Sequence, residues 1–166
     1  MGYAPGMTTP APKPLALRRR LPFALVTLAT AARRDTTQAL AGSDLGIFQH
    51  AVLCVLAESG PLIQKDAAAR LGIDSGDMVA YVDDLLASGS VDKQRDPADR
   101  RRQILEITPK GRRVLAKAER DLDASTEETF GALSPEEREV LYGLLVRVLA
   151  QRDPEGWPDE DQPPAS

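Results

Sequence analysis

Residues 91–112 read VDKQRDPADRRRQILEITPKGR, and the fold is decided in this stretch. Positions 91–94 and 103–107 are short runs of strand type. They flank Asp96-Pro97-Ala98-Asp99, whose proline and aspartates favour a turn, so the spacing predicts a β-hairpin with a basic tip. Thr108 is then a helix cap, and Pro109 suits the first helical position because its missing N–H would have no intrahelical partner. Leu115, Ala118 and Leu122 recur at helical spacing and give the following long helix one apolar face.

Upstream, 47–58 is an apolar-periodic helix that Ser59-Gly60-Pro61 ends, since proline cannot continue it. A short helix is predicted over about 64–71, closed by Gly72. Asp74 or Ser75 then caps a helix over about 76–87, which stops near Gly89. Downstream, Ser134-Pro135-Glu136-Glu137 is a capping box opening a last helix with Leu141, Leu144, Leu145 and Val148 facing inward. Nearer the N-terminus, Leu21, Leu25, Leu28 and Ala32 share one face and predict a buried first helix running into polar 33–38. The expected order is four helices, a two-stranded wing and two helices. The class is mainly α with a two-stranded β wing, and a helix-turn-helix followed by such a hairpin is a winged helix.

The 166 residues, 42% hydrophobic and 28% charged, fit one domain with a core. With three Phe, three Tyr and one Trp, that core must be aliphatic. One cysteine, Cys54, excludes an intramolecular disulfide framework. Residues 1–14 are proline-rich and 153–166 are proline-rich and acidic; both predict disordered tails. Arg18-Arg19-Arg20 before an apolar run also has the form of an export signal, but the run is too short to span a bilayer. A cytoplasmic chain without membrane contact is expected.

Charge is divided sharply. The net charge is −4, and five of the acids lie in the last fourteen residues. Residues 71–92 hold five Asp and no Lys, Arg or His, whereas 93–113 hold eight basic and three acidic residues. The predicted groove-entering helix is acidic and the wing beside it is basic.

From these residues the chain resembles the MarR family of bacterial transcriptional regulators over roughly 21–150. The wing reads Asp96-Pro97-Ala98-Asp99-Arg100-Arg101 and runs into Ile107-Thr108-Pro109-Lys110-Gly111-Arg112, a signature typical of the family. Gly60-Pro61-Leu62, Ala69-Arg70-Leu71-Gly72-Ile73-Asp74, Val82-Asp83 and Leu133-Ser134-Pro135-Glu136-Glu137-Arg138 match as well. The resemblance implies a homodimer built from helices over 15–42 and 109–152, a winged DNA-binding lobe over 45–108, and a small, often aromatic, ligand bound between these regions. It also exposes departures. Asp77 stands near a usual Thr, Ala80 at a usual Arg, Asp84 at a common Arg, and Ser88 at a common Arg or Lys. A bidentate arginine–base contact carries about 1–3 kcal/mol of discrimination, so losing two or three contacts costs on the order of 3–6 kcal/mol. Weak or unusually selective DNA binding follows as the expectation.

The candidate DNA contacts are therefore Lys93, Arg95, Arg100, Arg101 and Arg102 on the wing, with Ser75, Asp77 and Tyr81 on the helix. Asp77 is able to accept from a cytosine amino group. The alternative for the wing is a solvated hairpin braced by Asp99 and Arg101. His50, Cys54 and Arg34, with Arg33 beside it, are the candidate ligand contacts; the alternatives are interface packing for His50, core packing for Cys54 and a solvated helix end for the arginines. No phosphate loop, zinc-protease motif, Cys-x-x-Cys pair or serine elbow is present. No cofactor is expected, and one histidine and one cysteine do not make a metal site unless a shared interface combines copies from two chains. Three functions stay open: a ligand-responsive regulator, a protein of this fold that has lost DNA reading and binds or transforms a small molecule with His50 as general acid–base, and an interaction protein whose acidic helix mimics nucleic acid.

Overall fold

A computed structural model describes residues 12–96, 99 and 102–158. The chain divides into two compact units, Met1–Arg34 and Asp35–Ser166. In the first lie α1 (Leu15–Arg18) and the start of α2 (Leu21–Ala41). The second continues with α3 (Ile47–Ser59), β1 (Leu62–Ile63), α4 (Gln64–Leu71), α5 (Ser75–Ala87), β2 (Val91–Arg95), β3 (Gln103–Ile107), α6 (Pro109–Phe130) and α7 (Pro135–Arg152).

The predicted caps form. Gly72 takes the left-handed conformation at φ 61° that ends α4, where a side chain would be strained. Asp74 accepts from the Gly76 N–H at the start of α5. Thr108 accepts from the Gly111 N–H, and Ser134 and Glu137 form the reciprocal box of α7. Each such cap is worth about 0.5–2 kcal/mol.

The wing is an antiparallel pair with Val91 opposite Ile107 and Arg95 opposite Gln103. The sheet has three strands rather than two, because Leu62 and Ile63 pair with Leu105 and Ile104, giving the order β1-β3-β2. A two-residue strand is too short to show a period in sequence. Its effect is to tie the start of α4 to the wing.

The core lies among α3, α4, α5, the sheet and α6. Val52, Leu53, Leu56, Met78 and Val82 are fully buried, with Leu85, Leu105 and Ile107 nearly so. The predicted α6 stripe reaches this core, with Ala118 buried and Leu115 and Leu122 packed against it. Gly111 is obligatory at the same joint. A Cβ there would sit 2.0 Å from the Ser90 carbonyl oxygen, so only glycine lets α6 start against the β2 approach.

Two expectations of burial are corrected. Leu21, Leu25 and Leu28 are 80%, 48% and 37% exposed, and only Leu40 of α2 is buried. On α7, Leu144, Leu145 and Val148 are also exposed, and no residue of that helix is buried. Helical periodicity reports an apolar stripe; it does not say whether the same chain covers it. Among the described residues, no helix is long and apolar enough to cross a membrane.

Candidate nucleic-acid interface and the His50 cluster

α5 turns Met78, Val82 and Leu85 into the core. Its outer surface holds Ser75, Asp77, Val79, Ala80, Asp83 and Asp84, all exposed. The five aspartates of 71–92 differ in what they do. Asp74 caps α5, and Asp92 accepts from the Lys93 N–H at 2.8 Å. Asp84 accepts from Gln49 Nε2 at 2.8 Å, while Gln49 Oε1 accepts from the Gly46 N–H at 2.6 Å. Gln49 thus clamps the start of α3 to the last turn of α5. Asp77 and Asp83 remain as exposed acids on the outer face. Tyr81 is half-buried and its ring stacks on Phe48 with centroids 5.2 Å apart, so a side chain expected at DNA is held against α3.

On the wing, Lys93 and Arg95 are exposed. Arg102 meets Asp99 at 3.3 Å, with the Arg102 side chain 63% exposed, and its N–H donates to the Asp99 carbonyl. Arg100 and Arg101 lie outside the described residues, and with them the expected Asp99–Arg101 brace. An exposed pair of this kind is worth little, so Arg102 can exchange Asp99 for a phosphate at small cost.

His50 and Cys54 sit one turn apart on α3, both half-buried. The structure brings Glu119 of α6 to them: His50 Nε2 lies 2.6 Å from Glu119 Oε1 and 3.5 Å from Cys54 Sγ, and the thiol is 3.7 Å from the same carboxylate oxygen. Burial, with the Glu119 charge next in size, pushes the Cys54 pKa up to about 11. The thiol is therefore a poor nucleophile and a poor oxidant sensor. Sequence reasoning missed Glu119, 69 positions from His50. The available signal was its place at the edge of the Leu115–Ala118–Leu122 stripe, which puts it beside whatever α6 packs on. Arg33 and Arg34 are exposed and belong to the N-terminal unit, whereas His50 belongs to the second.

The second half of α2 is fastened to α6 by polar contacts. Thr129 donates to Asp35 at 3.1 Å, and Lys117 donates to the Gly42 carbonyl and to Asp121, each at 2.7 Å. A cleft of about 400 Å³ lies there, lined by Asp35, Gln38, Lys117, Asp121, Ser125 and Glu128 among others.

Comparison with known proteins places this geometry. A family model described as MarR family matches residues 43–102. The chain is 36% identical over 140 residues to the HTH-type transcriptional regulator TtmR of Methylorubrum extorquens, covering 84% of this chain and 69% of that protein. With several other curated relatives the match spans only 59–61% of their length. Among solved structures, the transcriptional repressor CouR, known from Rhodococcus jostii RHA1, is similar in its complex with a 23-mer DNA duplex. The TM-score is 0.72 at 30% identity, over 81% of this chain and 95% of that one. BpsR of Bordetella bronchiseptica, whose DNA binding is regulated by 6-hydroxynicotinic acid, has a TM-score of 0.68 at 26% identity, over 83% of this chain and 97% of that one. The winged lobe, the capped helices around it and the identity to TtmR agree: the chain belongs to the MarR family of transcriptional regulators.

Proposed function

We propose that this chain is a ligand-responsive transcriptional regulator that binds double-stranded DNA as a homodimer, with the wing supplying phosphate contacts and the acidic α5 giving weak or narrowly selective base reading. The observation that carries this reading is the exposure of Lys93, Arg95 and Arg102 on a wing next to a helix whose outer face holds Asp77 and Asp83. Phosphate neutralisation supplies nonspecific affinity and makes it salt-dependent. Carboxylates on the helix subtract from it, so the sequences tolerated are few.

Dimerisation is supported by apolar surface that a lone protomer leaves open. Val140, Tyr142, Leu144 and Val148 on α7 are 64%, 61%, 47% and 55% exposed, and the start of α2 has its own exposed leucines. Exposed apolar patches of this kind mark association surfaces. The effector is assigned to small aromatic molecules, in keeping with the response of BpsR to 6-hydroxynicotinic acid.

The second reading, a MarR-fold protein that has given up DNA, draws on Tyr81 and Asp84 being engaged with Phe48 and Gln49 within the protomer. Fluorescence anisotropy on duplexes tiled from the flanks of the chain's own gene, at about 50 and 200 mM salt, separates the two. A saturable, sequence-selective complex that weakens at the higher salt supports the regulator. No selective complex at the lower salt rejects it in favour of the second reading.

A further inference from the structure

We propose that His50, Cys54 and Glu119 form a binding site for a divalent transition metal of the zinc type, bridging α3 and α6. Their ligand atoms all lie within 4.8 Å of one another. In a tetrahedral zinc site, with bonds of about 2.0–2.3 Å, neighbouring ligand atoms stand roughly 3.3–3.8 Å apart. The Cys54–His50 separation of 3.5 Å and the Cys54–Glu119 separation of 3.7 Å fall in this range, and a turn of the imidazole is needed to aim the Nε2 lone pair at the point they share. The His50–Glu119 pair, at 2.6 Å, must open. Glu119 is the side chain able to do so, being 51% exposed while His50 is 17% exposed.

The way the ring is presented separates this site from a proton relay. A relay places the carboxylate on one imidazole nitrogen and the nucleophile on the other. Here the carboxylate lies on Nε2 while the thiol stands beside the ring, 3.5 Å from Nε2 and 3.9 Å from Nδ1, rather than on the far nitrogen. Nitrogen, sulfur and oxygen donors thus converge on one small volume, the mixed and borderline-soft set that suits zinc. Charge also closes. A thiolate, a carboxylate and a neutral imidazole with a divalent ion sum to zero, and binding releases the thiol proton to solvent. Three protein ligands leave a fourth position for water or an exchangeable ligand.

Spacing explains how two helices build the site. His50 and Cys54 are i and i+4 on α3, hence on one face, and α6 brings Glu119 to that face because its Ala118 is buried in the adjacent core. The site does not depend on whether α5 reads DNA, and its test needs no duplex.

The test is a cobalt(II) titration of the reduced, chelator-treated full-length chain, followed by zinc competition, on wild type, Cys54→Ser, His50→Gln and Glu119→Gln, with circular dichroism to confirm that each is folded. We expect one cobalt per chain, a thiolate-to-cobalt charge-transfer band with tetrahedral ligand-field absorption, and loss of both on adding zinc. The charge-transfer band should vanish in Cys54→Ser. Zinc affinity should fall at least about 100-fold in His50→Gln and Glu119→Gln, since even outer-shell partners are worth about 10–100-fold. A wild type with no charge-transfer band, or four folded proteins of equal zinc affinity, overturns the proposal.

Discussion

α5 and the wing are separated by three residues, Ser88 to Ser90, and carry opposite charge. Their inner faces are equally well built. Met78, Val82 and Leu85 on one side and Val91, Leu105 and Ile107 on the other are all within the core. Their outer faces share nothing, because the helix presents Asp77 and Asp83 and the wing presents Lys93, Arg95 and Arg102. The difference teaches that the packing which makes a winged helix and the charge which makes it bind DNA are separate properties. Burial fixes one face of each element and leaves most of the other to vary at little cost to the fold, Asp84 with its bond from Gln49 being the exception on α5.

The strongest way to break the comparison is to disturb the joint that both elements share. Gly111→Ala places a methyl against the Ser90 carbonyl; we expect a loss of stability of about 1–3 kcal/mol or more, read as a lower midpoint in urea unfolding. An unchanged midpoint would show that α6 can slide away from Ser90. Next in size, Arg95→Ala combined with Arg102→Ala should weaken binding to all duplexes by roughly tenfold or more and reduce the log–log salt slope by about 1 per contact removed. A loss confined to one sequence would instead assign these residues to base reading.

Reversing the acidic face should sharpen the contrast from the other side. Asp77→Lys is expected to raise nonspecific affinity and steepen the salt slope by about 1; no change in slope would place this part of α5 away from phosphate. The smallest effect is predicted for Gln49→Ala, which removes the bond to Asp84 and the one from Gly46. It should cost about 1 kcal/mol, with hydrogen exchange rising first at the start of α3.

Much of the fold was legible because its boundaries rest on local chemistry. Gly72 ends α4 through a left-handed residue, and Asp74, Thr108 and Ser134 each cap a helix with their own side chain. What sequence left hidden is non-local. The two-residue β1 exists only because β3 offers it a partner. Four-residue α1 is too short to show a helical period. The exposure of α2 and α7 depends on what covers them, and an apolar stripe looks the same in either case. At the candidate sites, residue types were readable and pairings were not. His50 and Cys54 were legible as neighbours through their i, i+4 spacing, whereas Glu119 arrives from another helix. Tyr81 was legible as part of α5, but its stacking on Phe48 needs the α3–α5 packing to exist first.

The Gln49 clamp has a further meaning on the time scale of lineages. Asp84 supports the start of α3 through Gln49, so a mutation replacing it with a basic residue would lose a structural bond at the same step that it gained affinity for phosphate. A basic outer face on α5 is reached at less structural cost through Asp77 or Asp83, for which no such bond is seen among the described residues, than through Asp84, so the last turn of α5 resists the change of charge that its first turn would accept.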